Sequence, residues 1–153
     1  MLLGAAVLGG CAPRLSPVYR DYALPASLAA PGLAESARAD SLRARAAAAL
    51  RAAGWTVQPR TGTLPAAVQT ERRTVSSALV YRNQVAVFAF PVGERLLRVQ
   101  FQPVRRYTAR TRTFLPYLPA SLAREVVPGL DAALRARGFA PVLSGPRKDQ
   151  GAR

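Results

Sequence analysis

A predicted β-hairpin in the middle of the chain places the strongest constraint on the fold. Residues 85–90, with the sequence VAVFAF, are apolar at every position, which is typical of a central strand that is covered on both faces. Residues 91–94, PVGE, supply a turn, and Leu97, Val99 and Phe101 then alternate with polar residues. The pattern predicts two paired strands, so other elements of the chain have to cover their apolar side chains.

Amphipathic helices are predicted on both sides of the strand region. In residues 33–54 the apolar positions fall on one helical face, at Leu42, Ala46, Ala49, Leu50 and Ala53. In the second helix an apolar residue recurs every four positions, at Leu122, Val126, Leu130 and Leu134. Gly54 and Gly138 are natural left-handed ends for the two helices, and a short strand is expected after each of them.

The order of helix, strands and helix predicts an α+β domain. We expect two helices on one face of an antiparallel sheet of about four to five strands. This single small domain is placed at residues 33–143, and residues 144–153 are predicted to be a frayed basic tail. Asn83 is interpreted as a turn residue, and residues 108–113 as an edge strand.

Composition excludes most familiar catalytic and metal sites. The chain of 153 residues has no His and one Cys, so it contains no Ser-His-Asp triad, Cys-His dyad, Cys-paired zinc site or internal disulfide. Its eight carboxylates are not spaced as an acid–base pair or a metal site, and no Gly-rich phosphate loop occurs. We therefore assign no catalytic residue, no metal and no cofactor, and predict that the protein is not an enzyme.

The start of the chain carries the most specific motif. Residues 2–10 form an uncharged apolar run that is too short to span a bilayer, and Cys11 follows directly. Leu8-Gly9-Gly10-Cys11 resembles the lipobox of bacterial lipoproteins, in which signal peptidase II cuts before the cysteine. The resemblance implies that residues 1–10 are a signal peptide, that cleavage falls between Gly10 and Cys11, and that Cys11 carries the lipid anchor.

A proline-rich stretch follows the motif. Pro13, Pro17, Pro25 and Pro31 favour an extended chain, so residues 11–32 are predicted to be a tether between the lipid and the domain. Ala12 stands where some bacterial lipoproteins have the Asp that retains them in the inner membrane. The resemblance therefore implies a lipid-anchored protein of the cell envelope, on the periplasmic face of the outer membrane if the cell has two membranes.

Strong positive charge is the feature that points to a binding partner. The chain has 22 basic and 8 acidic residues, a formal charge of +14, which favours anionic partners. We assign seven arginines of the predicted sheet region as a possible anion-binding face: Arg72, Arg73, Arg98, Arg105, Arg106, Arg110 and Arg112. Arg82, Arg95 and several aromatic residues fall in the same region. The alternative is a solvated outer face whose charge only keeps the protein soluble.

Three functional hypotheses remain open. The first, which the lipobox favours, is a lipid-anchored envelope protein whose domain binds a partner protein or an anionic lipid or glycan without catalysis. The second is a soluble basic module that binds nucleic acid, for which a steep salt dependence is expected. The third is a hydrolase with an unrecognised carboxylate site. The envelope compartment makes nucleic acid the less favoured partner, and the sequence leaves the oligomeric state open.

Overall fold

The computed structural model of the protein describes residues 18–29, 32, 34–59 and 66–142. The predicted signal peptide, the cleavage position at Gly10 and Cys11, and the predicted tail lie outside these residues. The described elements, in chain order, are β1 (Tyr19–Ala23), α1 (Ala26–Ala29), α2 (Glu35–Ala52), β2 (Val68–Gln69), β3 (Arg73–Ser77), β4 (Tyr81–Val92), β5 (Leu96–Tyr107), β6 (Arg112–Phe114), α3 (Ala120–Arg135) and β7 (Ala140–Pro141).

All strand pairs in the sheet are antiparallel. The strand order is β2-β4-β5-β1-β7, with β3 also paired to β4 and β6 also paired to β5. The prediction of a single small α+β domain with an antiparallel sheet is confirmed. The described residues form seven strands and three helices, more than the predicted four to five strands and two helices. The additional elements are short: three of the strands have only two or three residues, and α1 is a single turn.

The predicted hairpin is the centre of the sheet. β4 and β5 pair along their whole length, from Tyr81 opposite Tyr107 to Val92 opposite Leu96, and Gly93 takes a φ of 61° in the turn. Side chains of β4 and β5 alternate between two faces. One face packs against the helices in a single buried cluster. The other carries Phe88 and Phe90 of β4 and four polar side chains of β5, which are Arg98, Gln100, Gln102 and Arg106. We call this second face the open face.

Both long helices follow their predicted stripes. α2 buries Leu42, Ala46, Ala47, Ala49 and Leu50, and α3 buries Leu122, Val126, Leu130 and Leu134. Pro128 lies inside α3, which continues through it.

The two helices also end in the same way, as Schellman motifs. The amide of Trp55 donates to the carbonyl of Leu50 at 3.0 Å, and that of Phe139 donates to Leu134 at 3.1 Å. The glycine before each aromatic has a positive φ, and both aromatic side chains are buried in the core. Each long helix is therefore followed by a glycine and then by an aromatic residue that packs into the core.

Part of the predicted tether belongs to the sheet. Tyr19–Ala23 form β1, which pairs with β5 on one side and with β7 on the other. Tyr22 is fully buried on the helix-facing side. These five residues of the predicted tether, residues 11–32, therefore belong to the sheet, because they pair with β5 and, at Tyr22 and Ala23, also with β7.

The turn predicted at Asn83 is also wrong. Asn83 lies inside β4 and is buried, and the preceding turn is at residues 78–80. Its side-chain amide donates to the Ser76 hydroxyl at 2.9 Å, and its carbonyl oxygen accepts from Arg105 at 3.1 Å. These partners on both neighbouring strands satisfy the polar side chain, so the strand continues through it. The edge strand predicted at residues 108–113 is shorter, because residues 108–111 form the turn before β6.

Candidate anion-binding site

Two tight turns form one end of the sheet. In the turn between β3 and β4 the amide of Ala78 donates to the carbonyl of Tyr81 at 2.8 Å, and in the turn between β5 and β6 the amide of Tyr107 donates to Thr111 at 2.9 Å. The amide of Thr108 donates to the carbonyl of Val80 at 3.1 Å and so joins the two turns. We call this part of the molecule the turn end.

Three arginines lie side by side on the open face next to the turn end. Arg82 on β4 is paired with Arg106 on β5, and Arg106 is paired with Arg112 on β6. We call these three residues the arginine ladder. All three are exposed. Directly paired residues on antiparallel strands have Cα atoms only about 4.5–5.5 Å apart, and like charges at such positions destabilise the sheet.

The ladder has no carboxylate partner among the described residues. The carboxylates of Asp21 and Asp131, on β1 and α3, pair instead with Arg98 and Arg20. Three adjacent guanidinium groups without a counter-charge provide up to fifteen N–H donors in total, by the usual count of five for each group. Such a group of donors matches the oxygens of a phosphate or a carboxylate.

A cavity of about 390 Å³ lies at the turn end beside the ladder. Its lining includes Arg82, Arg106 and Arg110, together with Tyr81 and Tyr107. Volumes of this order are typical of small-ligand sites. The ladder therefore borders a concave space that a phosphate-bearing group can enter.

Arg110 adds a fourth guanidinium at a strained position. Its φ is 64°, and among the described residues it is the only one other than glycine with a positive φ. A side chain in this left-handed region costs about 1–2 kcal/mol, and a glycine there would be unstrained. An arginine at this position brings a positive charge to the cavity at the expense of backbone strain.

The helix-facing side of the same strands supports the site. Arg105 donates to Asn83, and its guanidinium carbon lies 4.3 Å from the centre of the Tyr81 ring. Tyr81 and Tyr107 meet edge to face, with ring centres 6.2 Å apart. These contacts stabilise β4 and β5 at the residues next to Arg82 and Arg106.

The predicted anion-binding face is therefore divided by the structure. Arg106, Arg110 and Arg112 are brought together at the turn end, as the prediction required. Arg105 points to the opposite face of the sheet, where its contacts are structural. Arg72 lies in the loop before β3, with its guanidinium carbon 5.7 Å from the centre of the Phe114 ring.

Arg73 supports the end of α2. Its guanidinium donates to the carbonyls of Ala53 and Gly54 at 3.3 and 3.2 Å and stacks 4.2 Å from the centre of the Trp55 ring. A positive charge at the carboxyl end of a helix is favourable because it interacts with the helix dipole. The guanidinium is used within the fold, which removes Arg73 from the candidate site.

The positive charge of Arg98 is compensated by a carboxylate on the neighbouring strand. It donates two hydrogen bonds of 2.8 Å to the two carboxylate oxygens of Asp21, and it stacks 4.3 Å from the centre of the Tyr19 ring. The hydrogen bonds to Asp21 raise the pKa of the Arg98 guanidinium, so it is charged at any physiological pH. The bidentate contact leaves Arg98 poorly placed to bind an external anion.

A second network connects β1 to α3. The Tyr22 hydroxyl donates a short hydrogen bond to Asp131, and Arg20 contacts the other oxygen of the same carboxylate at 3.1 Å. Burial raises the pKa of Tyr22 well above its ordinary value, and the hydrogen bond to Asp131 raises it further. Both carboxylate oxygens of Asp131 therefore accept hydrogen bonds from β1, and these bonds connect α3 to the sheet.

The candidate set omitted one member of the ladder and the apolar tip beside it. Arg82 had been grouped with the basic region but was not selected. Leu79 and Val80, in the turn before β4, are 95% and 55% exposed. A signal for Arg82 was present in the sequence, because Tyr81-Arg82 and Arg106-Tyr107 are mirrored about the hairpin turn.

Comparison with known proteins does not assign the chain to a family: no protein-family model matches it, and no curated protein matches it. Within the described ranges, no helix has both the length and the apolar character needed to cross a membrane. The same residues contain no cluster of three or more His, Cys, Asp or Glu side chains that could hold a metal ion.

Proposed function

We propose that the domain binds a multiply charged anion, a phosphate-bearing group in particular, at the arginine ladder and the adjoining cavity, and that it does so without catalysis. The observation that supports this most strongly is the register that places Arg82, Arg106 and Arg112 next to one another, with no carboxylate partner for any of them among the described residues. An external anion offsets the repulsion among these side chains, so binding and stability are coupled.

Inorganic tripolyphosphate is a suitable first probe, because it carries several phosphate groups and no base, sugar or lipid. We expect one molecule to bind per chain in calorimetry. Replacing the ladder by Arg82→Gln, Arg106→Gln and Arg112→Gln together is expected to weaken binding at least about 100-fold, since each of the three lost charge-assisted contacts is worth more than about 1 kcal/mol.

A matched control removes the same charge elsewhere. Arg51, Arg95 and Arg124 are exposed and lie on α2, in the β4–β5 turn and on α3. The triple Arg→Gln variant at these positions has the same net charge as the ladder variant. Binding that falls equally in both variants would show a general charge effect and contradict the proposed site.

We further propose that the chain is a lipoprotein of the bacterial cell envelope, anchored through Cys11. The lipobox-like Leu8-Gly9-Gly10-Cys11 supports this. The test is the mass of the N-terminal peptide from cells, with Cys11→Ala as the comparison. A peptide that begins at an acylated Cys11, together with a Cys11→Ala protein that leaves the membrane fraction, is expected. An unmodified peptide that begins at Met1 contradicts the anchor.

A further inference from the structure

We infer that the turn end docks on the anionic lipid surface of the membrane, with Leu79 and Val80 entering the interface and the arginine ladder contacting lipid phosphates. This inference rests on the proposed anion-binding function and identifies the ligand as a bilayer. Three features of the structure support it: an apolar tip, a basic surround, and the direction in which the N-terminal chain reaches the sheet.

The apolar tip is exposed on a rigid support. Leu79 is 95% exposed and Val80 is 55% exposed, and both lie in a turn closed by the hydrogen bond from Ala78 to Tyr81. The contact between Thr108 and Val80 holds this turn against the neighbouring one. Because these hydrogen bonds already hold the backbone of the turn, little backbone conformational entropy is lost when its two apolar side chains enter a lipid interface.

The surroundings of the tip match the chemistry of a membrane surface. Arg82, Arg106 and Arg110 line the same cavity as Leu79, so positive charge lies next to the apolar tip. Tyr81 and Tyr107 line the same cavity, and tyrosine is enriched where lipid headgroups meet the acyl chains. Along the chain into β4, the apolar tip is followed by Tyr81 and then by Arg82, which is the order of hydrocarbon, interface and phosphate.

The N-terminal chain approaches the sheet from the same end. Tyr19 begins β1 opposite Gln100, and the carbonyl of Val18 accepts from the amide of Phe101. Because β1 and β5 are antiparallel, the residues before β1 arrive from the side on which β5 continues toward Arg106. Val18 therefore leads into β1 from the end of the sheet at which the turn end lies.

The covalent length of the segment is sufficient. Arg106 lies six residues beyond Gln100 on β5, a distance of about 20 Å along the strand. The eight residue steps from Cys11 to Tyr19 can span at most about 28 Å. A lipid on Cys11 and the arginine ladder can thus reach the same membrane surface at the same time.

Vesicle binding by the full chain carrying Cys11→Ala tests the inference without the lipid anchor. We expect binding to vesicles that contain phosphatidylglycerol and much weaker binding to phosphatidylcholine alone. In this background the ladder triple variant is expected to bind anionic vesicles about 100-fold less tightly, because each of the three basic residues near such a surface contributes about fivefold. The matched triple variant at Arg51, Arg95 and Arg124 is expected to lose less than tenfold.

The tip provides the decisive variant. Leu79→Ser with Val80→Ser is expected to weaken binding to anionic vesicles about 30-fold. Val80→Ser alone, at a residue outside the cavity lining, is expected to weaken vesicle binding about fivefold and to leave tripolyphosphate binding unchanged. Val142→Ser is the control, since Val142 is 42% exposed beside β7, away from the turn end. All of these positions are exposed, so circular dichroism is expected to be the same for every variant.

The outcomes separate this inference from the function on which it rests. If the tip variant binds vesicles as tightly as its parent, lipid docking is wrong, whereas the tripolyphosphate result still decides the anion site. If the ladder variant keeps its tripolyphosphate affinity, the proposed function itself fails. Tighter binding to a single-stranded oligonucleotide than to vesicles, lost with the same ladder variant, would overturn lipid docking and favour nucleic acid as the ligand.

Discussion

Arg98 and Arg106 lie on the same strand, eight positions apart and on the same face of the sheet, yet their surroundings are opposite. Arg98 is held by both oxygens of Asp21 and stacks on Tyr19. Arg106 lies between two further arginines, Arg82 and Arg112. The first side chain has its counter-charge within the fold. The second has none among the described residues, so we attribute its role to a ligand that comes from outside.

The region in which arginines are paired with carboxylates, at Asp21 and Asp131, is expected to be more sensitive to mutation than the arginine ladder. Asp131→Ala leaves the hydroxyl of the fully buried Tyr22 without its acceptor and removes the partner of Arg20. We expect the free energy of unfolding to fall by about 2–3 kcal/mol in urea denaturation. In a Tyr22→Phe background the same substitution is expected to cost less, because the buried donor is gone. A loss below about 1 kcal/mol in the parent protein would contradict the role given to this network.

Arg98→Gln is the next largest expected effect. It breaks the two hydrogen bonds to Asp21 and leaves a carboxylate that is only 12% exposed without a counter-charge. We expect a loss of about 1.5 kcal/mol in the free energy of unfolding, somewhat reduced by the partial exposure of Arg98. Arg95→Gln, in the exposed turn before the same strand, is the control and is expected to change the free energy by less than about 0.5 kcal/mol.

Alkaline pH tests whether Tyr22 is closed to solvent in the folded protein. Its pKa is raised by burial and by Asp131, so the unfolded chain ionises first, above about pH 10. The folded protein retains the proton there, and stability is therefore expected to fall by up to about 1.4 kcal/mol per pH unit above that point. Below it the contribution is fully present. Tyr22→Phe is expected to have a shallower decline, and an identical decline in both proteins would contradict the assignment.

A substitution in the arginine ladder is expected to increase the free energy of unfolding, in contrast to the substitutions at Asp131 and Arg98. Arg106→Gln removes the central charge of three like charges, so we expect the free energy of unfolding to rise by about 0.5 kcal/mol at low ionic strength. The gain is expected to vanish at high salt, because exposed charges are screened. Arg106→Lys keeps the charge and is the matched control. A destabilisation by Arg106→Gln at low salt would indicate an internal partner for this side chain.

Hydrophobic periodicity was sufficient to predict the helices and the central hairpin. The stripes of α2 and α3 and the alternation at Leu97, Val99 and Phe101 are local patterns, and each corresponds to one buried face. β1 has no such pattern. Its helix-facing positions are Arg20 and Tyr22, and the acceptor that makes Arg20 compatible with that side is Asp131, 111 residues later in the chain. A contact at that separation cannot be inferred from a local window.

The sequence predicted a basic cluster in the sheet region but not which arginines lie next to one another. Arg82 and Arg106 are equally far from Glu94 in the hairpin turn, so extending the hairpin register pairs them directly. Interpreting Asn83 as a turn interrupted that extension, because its partners Ser76 and Arg105 lie on neighbouring strands. Arg73 was misassigned for a related reason. The side on which it lies depends on the pairing of β3 with β4, which includes a register shift between Thr74 and Ser76.

Thermal unfolding with and without tripolyphosphate tests the contrast between the two regions most directly. Three proteins suffice: the parent, Arg98→Gln, and the ladder variant with Arg82→Gln, Arg106→Gln and Arg112→Gln. We predict that tripolyphosphate raises the unfolding temperature of the parent and of Arg98→Gln, which starts lower, and leaves the ladder variant unchanged. An equal rise in the ladder variant would contradict the account, because the anion would then bind elsewhere on the protein.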